Sequence, residues 1–173
     1  MKQFMLPEEP TFAYCTPTKP ETCANAIHDL EEFLEIEGPY DGIIGFSLGA
    51  NFALSWMINK IQKNGNCGQL PFKVGIFFST ADRLLECKET PEKFVAPWNP
   101  VEIDGIIDIP TAHIWGTADS HRANSQLASL ACDEDNRSIF VHDRGHEVPI
   151  SAENVISAAK VINRAIARAQ GFN

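Results

Sequence analysis

The stretch DGIIGFSLGAN, residues 41–51, constrains the fold more than any other part of this 173-residue chain. A short apolar run meets a serine, Ser47, with glycines two positions before and after it, and a helix-forming sequence begins at Leu48. Lifting a side chain out of a strand-to-helix turn demands a sharp, strained backbone, and the residues two positions away then come too close for a Cβ. Gly45 and Gly49 meet that demand, and Ala50 keeps the next position small. The pattern is GxSxG, a nucleophile elbow, with the helix N-terminus and the Leu48 N–H aimed at a developing oxyanion. By chance alone, about one chain in twenty of this length would carry GxSxG at ordinary glycine and serine usage. The strand before it and the helix after it make the signal specific. GIIGFSLG is neither a GxGxxG fingerprint nor a P-loop, since no GK[ST] follows.

The rest of the chain reads as strands alternating with helices. Residues 1–20 hold four prolines and read as irregular chain with at most a short strand at TFAYC. A helix is expected from Glu21, with Ala24, Ile27, Leu30 and Leu34 at helical spacing, ending at Gly38-Pro39. Strand DGIIGF and a helix over about 48–63 come next. FKVGIFFS is a continuous apolar run of the kind buried on both faces. Residues 80–109 carry Pro91, Pro97 and Pro100 and predict a long loop over the site, with one short helix. Then come strand TAHIW, a helix over about 121–132, strand RSIFVH, and a last helix over about 152–168 with Ser151 as N-cap. The alternation predicts one α/β domain over 1–173, a mostly parallel sheet with helices on both faces.

In such sheets functional groups gather at the carboxyl ends of strands. A serine hydroxyl needs a general base within hydrogen-bond reach, and five histidines compete. His28 sits on a helix away from any strand end, and His113 lies inside TAHIW and reads as core. His121 opens a helix and His142 ends a strand, neither in a special setting. His146, in DRGHEVP, falls in the loop after the last strand, where this architecture carries its base. The imidazole needs an acid to hold its tautomer. Asp119, three residues past Gly116, gives the order Ser47, Asp119, His146; Asp82 is its rival, and Asp143 lies on the histidine's own segment. The reaction class implied is acyl transfer. Phe94 and Trp98, within the long loop, are candidates to line the acyl site.

Composition narrows the partners. The net charge is −9 and no Lys/Arg cluster occurs, which argues against nucleic acid. Five cysteines at irregular spacing, without a CxxC pair, give no metal or redox motif and fit a reducing compartment. MKQFMLPEEP is cut short by Pro7 and two glutamates and does not read as a secretory signal. No segment approaches the ~18 apolar residues of a membrane span. The expectation is a cytoplasmic protein acting on a small-molecule acyl ester or thioester, with no metal or organic cofactor.

GPYDGIIGFSLGAN, IPTAHIWGTAD and RGHEVP together resemble the fungal serine hydrolases, a branch of the α/β-hydrolases, from about residue 20 to the final helix. The first motif is the specific one. The resemblance implies esterase or thioesterase activity, including release of acyl chains from polyketide synthases, with Ser47, Asp119 and His146 as nucleophile, acid and base. In the family an opening strand ends in a His-Gly loop that donates the second oxyanion amide. HG occurs nowhere in this sequence, and the residues before Ser47 are largely taken up by one helix and one strand. The expectation is therefore an N-terminally shortened member, either weakened in activity or a pseudo-hydrolase that binds an acyl compound or a protein.

Overall fold

The computed structural model describes residues 13–16, 18–63, 65, 69–88 and 94–172. Its elements are α1 (Pro20–Glu37), β1 (Gly42–Phe46), α2 (Leu48–Lys63), β2 (Val74–Phe78), β3 (Leu85–Lys88), β4 (Phe94–Pro97), β5 (Thr111–Gly116), α3 (Arg122–Leu130), β6 (Arg137–His142) and α4 (Ala152–Ala169). Four strands form one parallel sheet in the order β1-β2-β5-β6. The two central strands are the continuous apolar runs: every residue of β5 is buried, as are the first four of β2. β1 pairs with β2 alone among the described strands, and there Ile44 is 70% exposed, as an edge position allows.

Side-chain alternation along the strands splits the core between two faces. Val74, Ile76, Ala112 and Ile114 pack against Ala158, Val161 and Ala165 of α4. Phe77 points the other way, into the larger cluster built from Leu54, Trp56, Met57 and Ile58 of α2 and Ala128 of α3, with Ile27 and Leu30 of α1 packed against it. Helices thus cover both faces, as the strand–helix alternation predicts. Ser151 caps α4 by accepting from the Asn154 N–H at 3.4 Å.

Two local expectations differ. Residues 13–15 of the TFAYC segment form no strand, while Thr11 and Phe12 lie outside the described residues, as does Cys67. Within 80–109 the short helix is replaced by an antiparallel hairpin of β3 and β4. The cause lies in α2, whose buried Asn51, Ser55 and Asn59 form a polar stripe at four-residue spacing. Asn51 donates to the carbonyls of Asp82 and Arg83, Ser55 Oγ accepts from Leu85 N–H, and Asn59 donates to the Leu85 carbonyl while accepting from Cys87 N–H. Those bonds hold the backbone extended along the helix and satisfy polar groups that burial would otherwise penalise.

Candidate active site

Ser47 sits between β1 and α2 with φ 56°, in the left-handed region where a Cβ is strained. Its N–H donates to the Phe78 carbonyl at 2.9 Å, and its own carbonyl accepts from Asn51 N–H, which starts the helix. A Cβ at Gly45 would stand 2.6 Å from the Ala50 Cα and 2.7 Å from its nitrogen, so the helix start can cross the strand only over glycine. Gly49 departs from the expectation: a Cβ there would meet only the Tyr14 ring, at the ordinary contact distance of 3.4 Å from its hydroxyl, and not the strand, so no close approach demands glycine. Leu48 opens α2, so its N–H has no helical acceptor and is free for a ligand.

The other two candidates arrive from the ends of β5 and β6. His146 Nε2 lies 2.8 Å from Ser47 Oγ, and Nδ1 lies 3.0 and 3.1 Å from the two oxygens of Asp119. An ionised carboxylate only accepts, so Nδ1 carries the proton and Nε2 presents its lone pair to the serine hydroxyl. The Asp119 carboxylate has no exposed surface. Burial alone would raise its pKa, but the His121 N–H and the His146 ring outweigh that and hold it below the ordinary carboxylate value. The amide bond from His121 to Oδ1 is 2.7 Å.

The remaining expected groups fall away from this chain of bonds. Asp82 is exposed and accepts from Arg83 N–H, while Asp143 accepts from Asn154. His28 is exposed on α1. His113 is 1% exposed, 3.2 Å from Thr111 Oγ1, and burial pushes its pKa down to about 3, with the Arg137 charge adding to the effect. His142 is buried at the end of β6, and its pKa is lowered chiefly by that burial. Trp98 packs on the core and lines a cavity of about 260 Å³ with Leu84, Ile103 and Leu127. Phe94 opens β4; its side chain lies outside the described residues.

Three contributors escaped the sequence reading. The His146 ring contacts the rings of both Phe46 and His121, with centroids 5.2 Å away in each case. Phe46 is the first variable position of GxSxG, where no residue type is demanded. Gly116 reads as a strand end, yet a Cβ there would run into the Arg144 carbonyl and stand 2.5 Å from that of Gly145, the residue before His146. The loop reaches the serine because β5 ends in glycine. Among the described residues, no group of three His, Cys, Asp or Glu side chains is placed to hold a metal, and no helix is long and apolar enough to cross a membrane.

A mostly parallel sheet with helices on both faces and a left-handed serine at a strand-to-helix turn defines an α/β-hydrolase fold. Solved structures agree: a serine hydrolase involved in carbazole degradation superposes with TM-score 0.56 at 12% identity, covering 88% of this chain and 74% of that one. A putative hydrolase from Agrobacterium vitis gives 0.54 at 16%, covering 83% and 68%. The chain belongs to the serine hydrolase (FSH1) family, whose profile matches residues 3–158. It is 32% identical over 165 residues to the esterase FPY3 of Fusarium mangiferae, spanning 94% of this chain and 73% of that protein. Against the hydrolase phiM of a fungal species the identity is 27% over 133 residues, spanning 74% of this chain and 59% of the relative.

Proposed function

We propose that this chain cleaves a carboxylic ester or thioester through an acyl intermediate on Ser47. The observation that carries the reading is the unbroken run of hydrogen bonds from Ser47 Oγ through both His146 nitrogens to the buried Asp119. Ser47 Oγ adds to the substrate carbonyl carbon as Nε2 takes the hydroxyl proton, and the carbonyl π pair moves onto oxygen beside the Leu48 N–H. Collapse expels the alcohol or thiol, which leaves with the proton returned by Nε2. Water, deprotonated by the same nitrogen, then releases the acid and restores the serine. Asp119 stabilises the imidazolium formed at each step. The fungal relatives, one an esterase and one a hydrolase, support ester cleavage, and a polyketide-derived acyl group is the substrate that the motif resemblance suggests.

The test is covalent labelling with a fluorophosphonate. Labelling of the folded protein that disappears in Ser47→Ala, with nitrophenyl ester turnover disappearing alongside it, is the expected result. A folded wild-type protein that takes up no label favours the second reading, an acyl or protein binder without turnover.

A further inference from the structure

We infer that the phenol of Tyr14 is the second donor to the oxyanion, an assignment that rests on the acyl-serine reading above. Tyr14 stacks on Phe52, with ring centroids 5.3 Å apart and planes 7° from parallel. Phe52 is three residues beyond Gly49 on α2, so the two share a face of the helix. The stacked ring carries its hydroxyl back along that face to the helix N-terminus, 3.4 Å from where a Gly49 Cβ would stand. The phenol thus lies beside the second glycine of GxSxG, two residues after the nucleophile.

Three further observations point the same way. The Tyr14 hydroxyl makes no hydrogen bond among the described residues. Tyr14 borders both the cavity it shares with Leu48 and the groove it shares with Phe46 and Gly49, which places it across the residues flanking Ser47 on either side. It is also 60% exposed, so an incoming substrate can meet it. A phenol supplies one O–H donor, and stacking on Phe52 limits the rotamer freedom lost when it engages. The substrate class that fits is a carbonyl whose oxygen enters between the Leu48 N–H and the phenol, with its chain directed over the Phe52 ring.

The experiment compares wild type, Tyr14→Phe and Ser47→Ala on p-nitrophenyl acetate, together with inhibition by phenylboronic acid, whose tetrahedral serine adduct mimics the charged intermediate. Removing a buried oxyanion donor costs about 10²–10³-fold in kcat; for an exposed phenol the expected fall in Tyr14→Phe is about 10- to 100-fold. KM should stay within about twofold while the boronate inhibition constant rises in step with the loss in kcat, because only a transition-state contact is lost. Phe52→Leu, which keeps the hydroxyl but removes its platform, should lower kcat in the same direction. Ser47-dependent turnover with kcat and boronate affinity unchanged in Tyr14→Phe overturns the inference and leaves the acyl-serine reading standing. Turnover that survives Ser47→Ala, or no Ser47-dependent turnover at all, overturns both.

Discussion

Replacing Asp119 by Asn tests the proposed chemistry at the point where the geometry is tightest. Both carboxylate oxygens lie within 3.1 Å of His146 Nδ1, and Oδ1 also accepts the His121 N–H. In Asp119→Asn one oxygen becomes an NH₂. The amide oxygen is the natural acceptor for His121 N–H, so the NH₂ faces Nδ1 and makes that nitrogen an acceptor. The imidazole proton then sits on Nε2, 2.8 Å from Ser47 Oγ, where a lone pair is required. A wrong tautomer with intact geometry costs about 10⁴-fold in kcat, or ~5 kcal/mol of transition-state stabilisation. Steady-state hydrolysis of a nitrophenyl ester reads the loss, and the rate of fluorophosphonate labelling should fall with it. The pH dependence of stability gives a second readout. The folded-state pKa of Asp119 is depressed, so its charge contributes stability above the ordinary carboxylate value of about 3.9. That contribution is lost as pH falls through the lower folded value, so the gap between the urea midpoints of wild type and Asp119→Asn should close on acidification. A variant retaining kcat within tenfold of wild type would refute the argument.

Other consequences follow from particular contacts. Gly116→Ala pushes the loop bearing His146 away from β5, and a displacement of 1 Å costs about 10²-fold in kcat; a variant with a normal melting temperature and normal kcat would contradict this. At φ 56°, Ser47→Gly should be about 1 kcal/mol more stable than Ser47→Ala in urea unfolding, since only the alanine keeps a Cβ in the left-handed region; equal midpoints would count against strain at the elbow. His113 stays neutral when folded down to about pH 3, whereas the unfolded chain takes up that proton near 6.5. Wild-type stability should therefore decline from pH 6.5 toward 3, and His113→Gln should show a shallower decline in urea midpoints between pH 8 and 5.

What could be read from the sequence was whatever local rules dictate. The elbow is local: strand, glycine, serine and helix start lie within eleven residues, and the steric demand at Gly45 follows from them alone. The strands followed from apolar runs, and His113 was recognisable as core because it interrupts one. What could not be read depends on partners distant in sequence. The hairpin of β3 and β4 is held by Asn51, Ser55 and Asn59, whose four-residue spacing was visible but carries no mark of what it binds. Gly116 looked like a strand terminator because the Arg144 and Gly145 carbonyls that require it are nearly thirty residues away. Tyr14 gave no signal, since its position follows only from stacking on Phe52.

The backbone supplies one more element of the site, which explains how a strained serine is held in register with a distant imidazole. The parallel ladder continues a residue beyond each strand: Ser47 N–H donates to the Phe78 carbonyl at 2.9 Å, Ser79 N–H to that of Ile114 at 2.8 Å, and Thr117 N–H to that of His142 at 2.8 Å. Each bond ties the first residue past one strand to the neighbouring strand, at its last residue for Phe78 and His142 and two residues before the end of β5 at Ile114, so the three loop starts are stepped across the sheet by its own pairing. Ser79 shares the left-handed conformation of Ser47, with φ 44°, and the same kind of bond holds it. Backbone strain persists where surrounding structure over-determines it, and here that structure is the rigid centre of the sheet. Ser47 and His146 need no flexible search for each other, because β2 and β5, buried between them, set their separation.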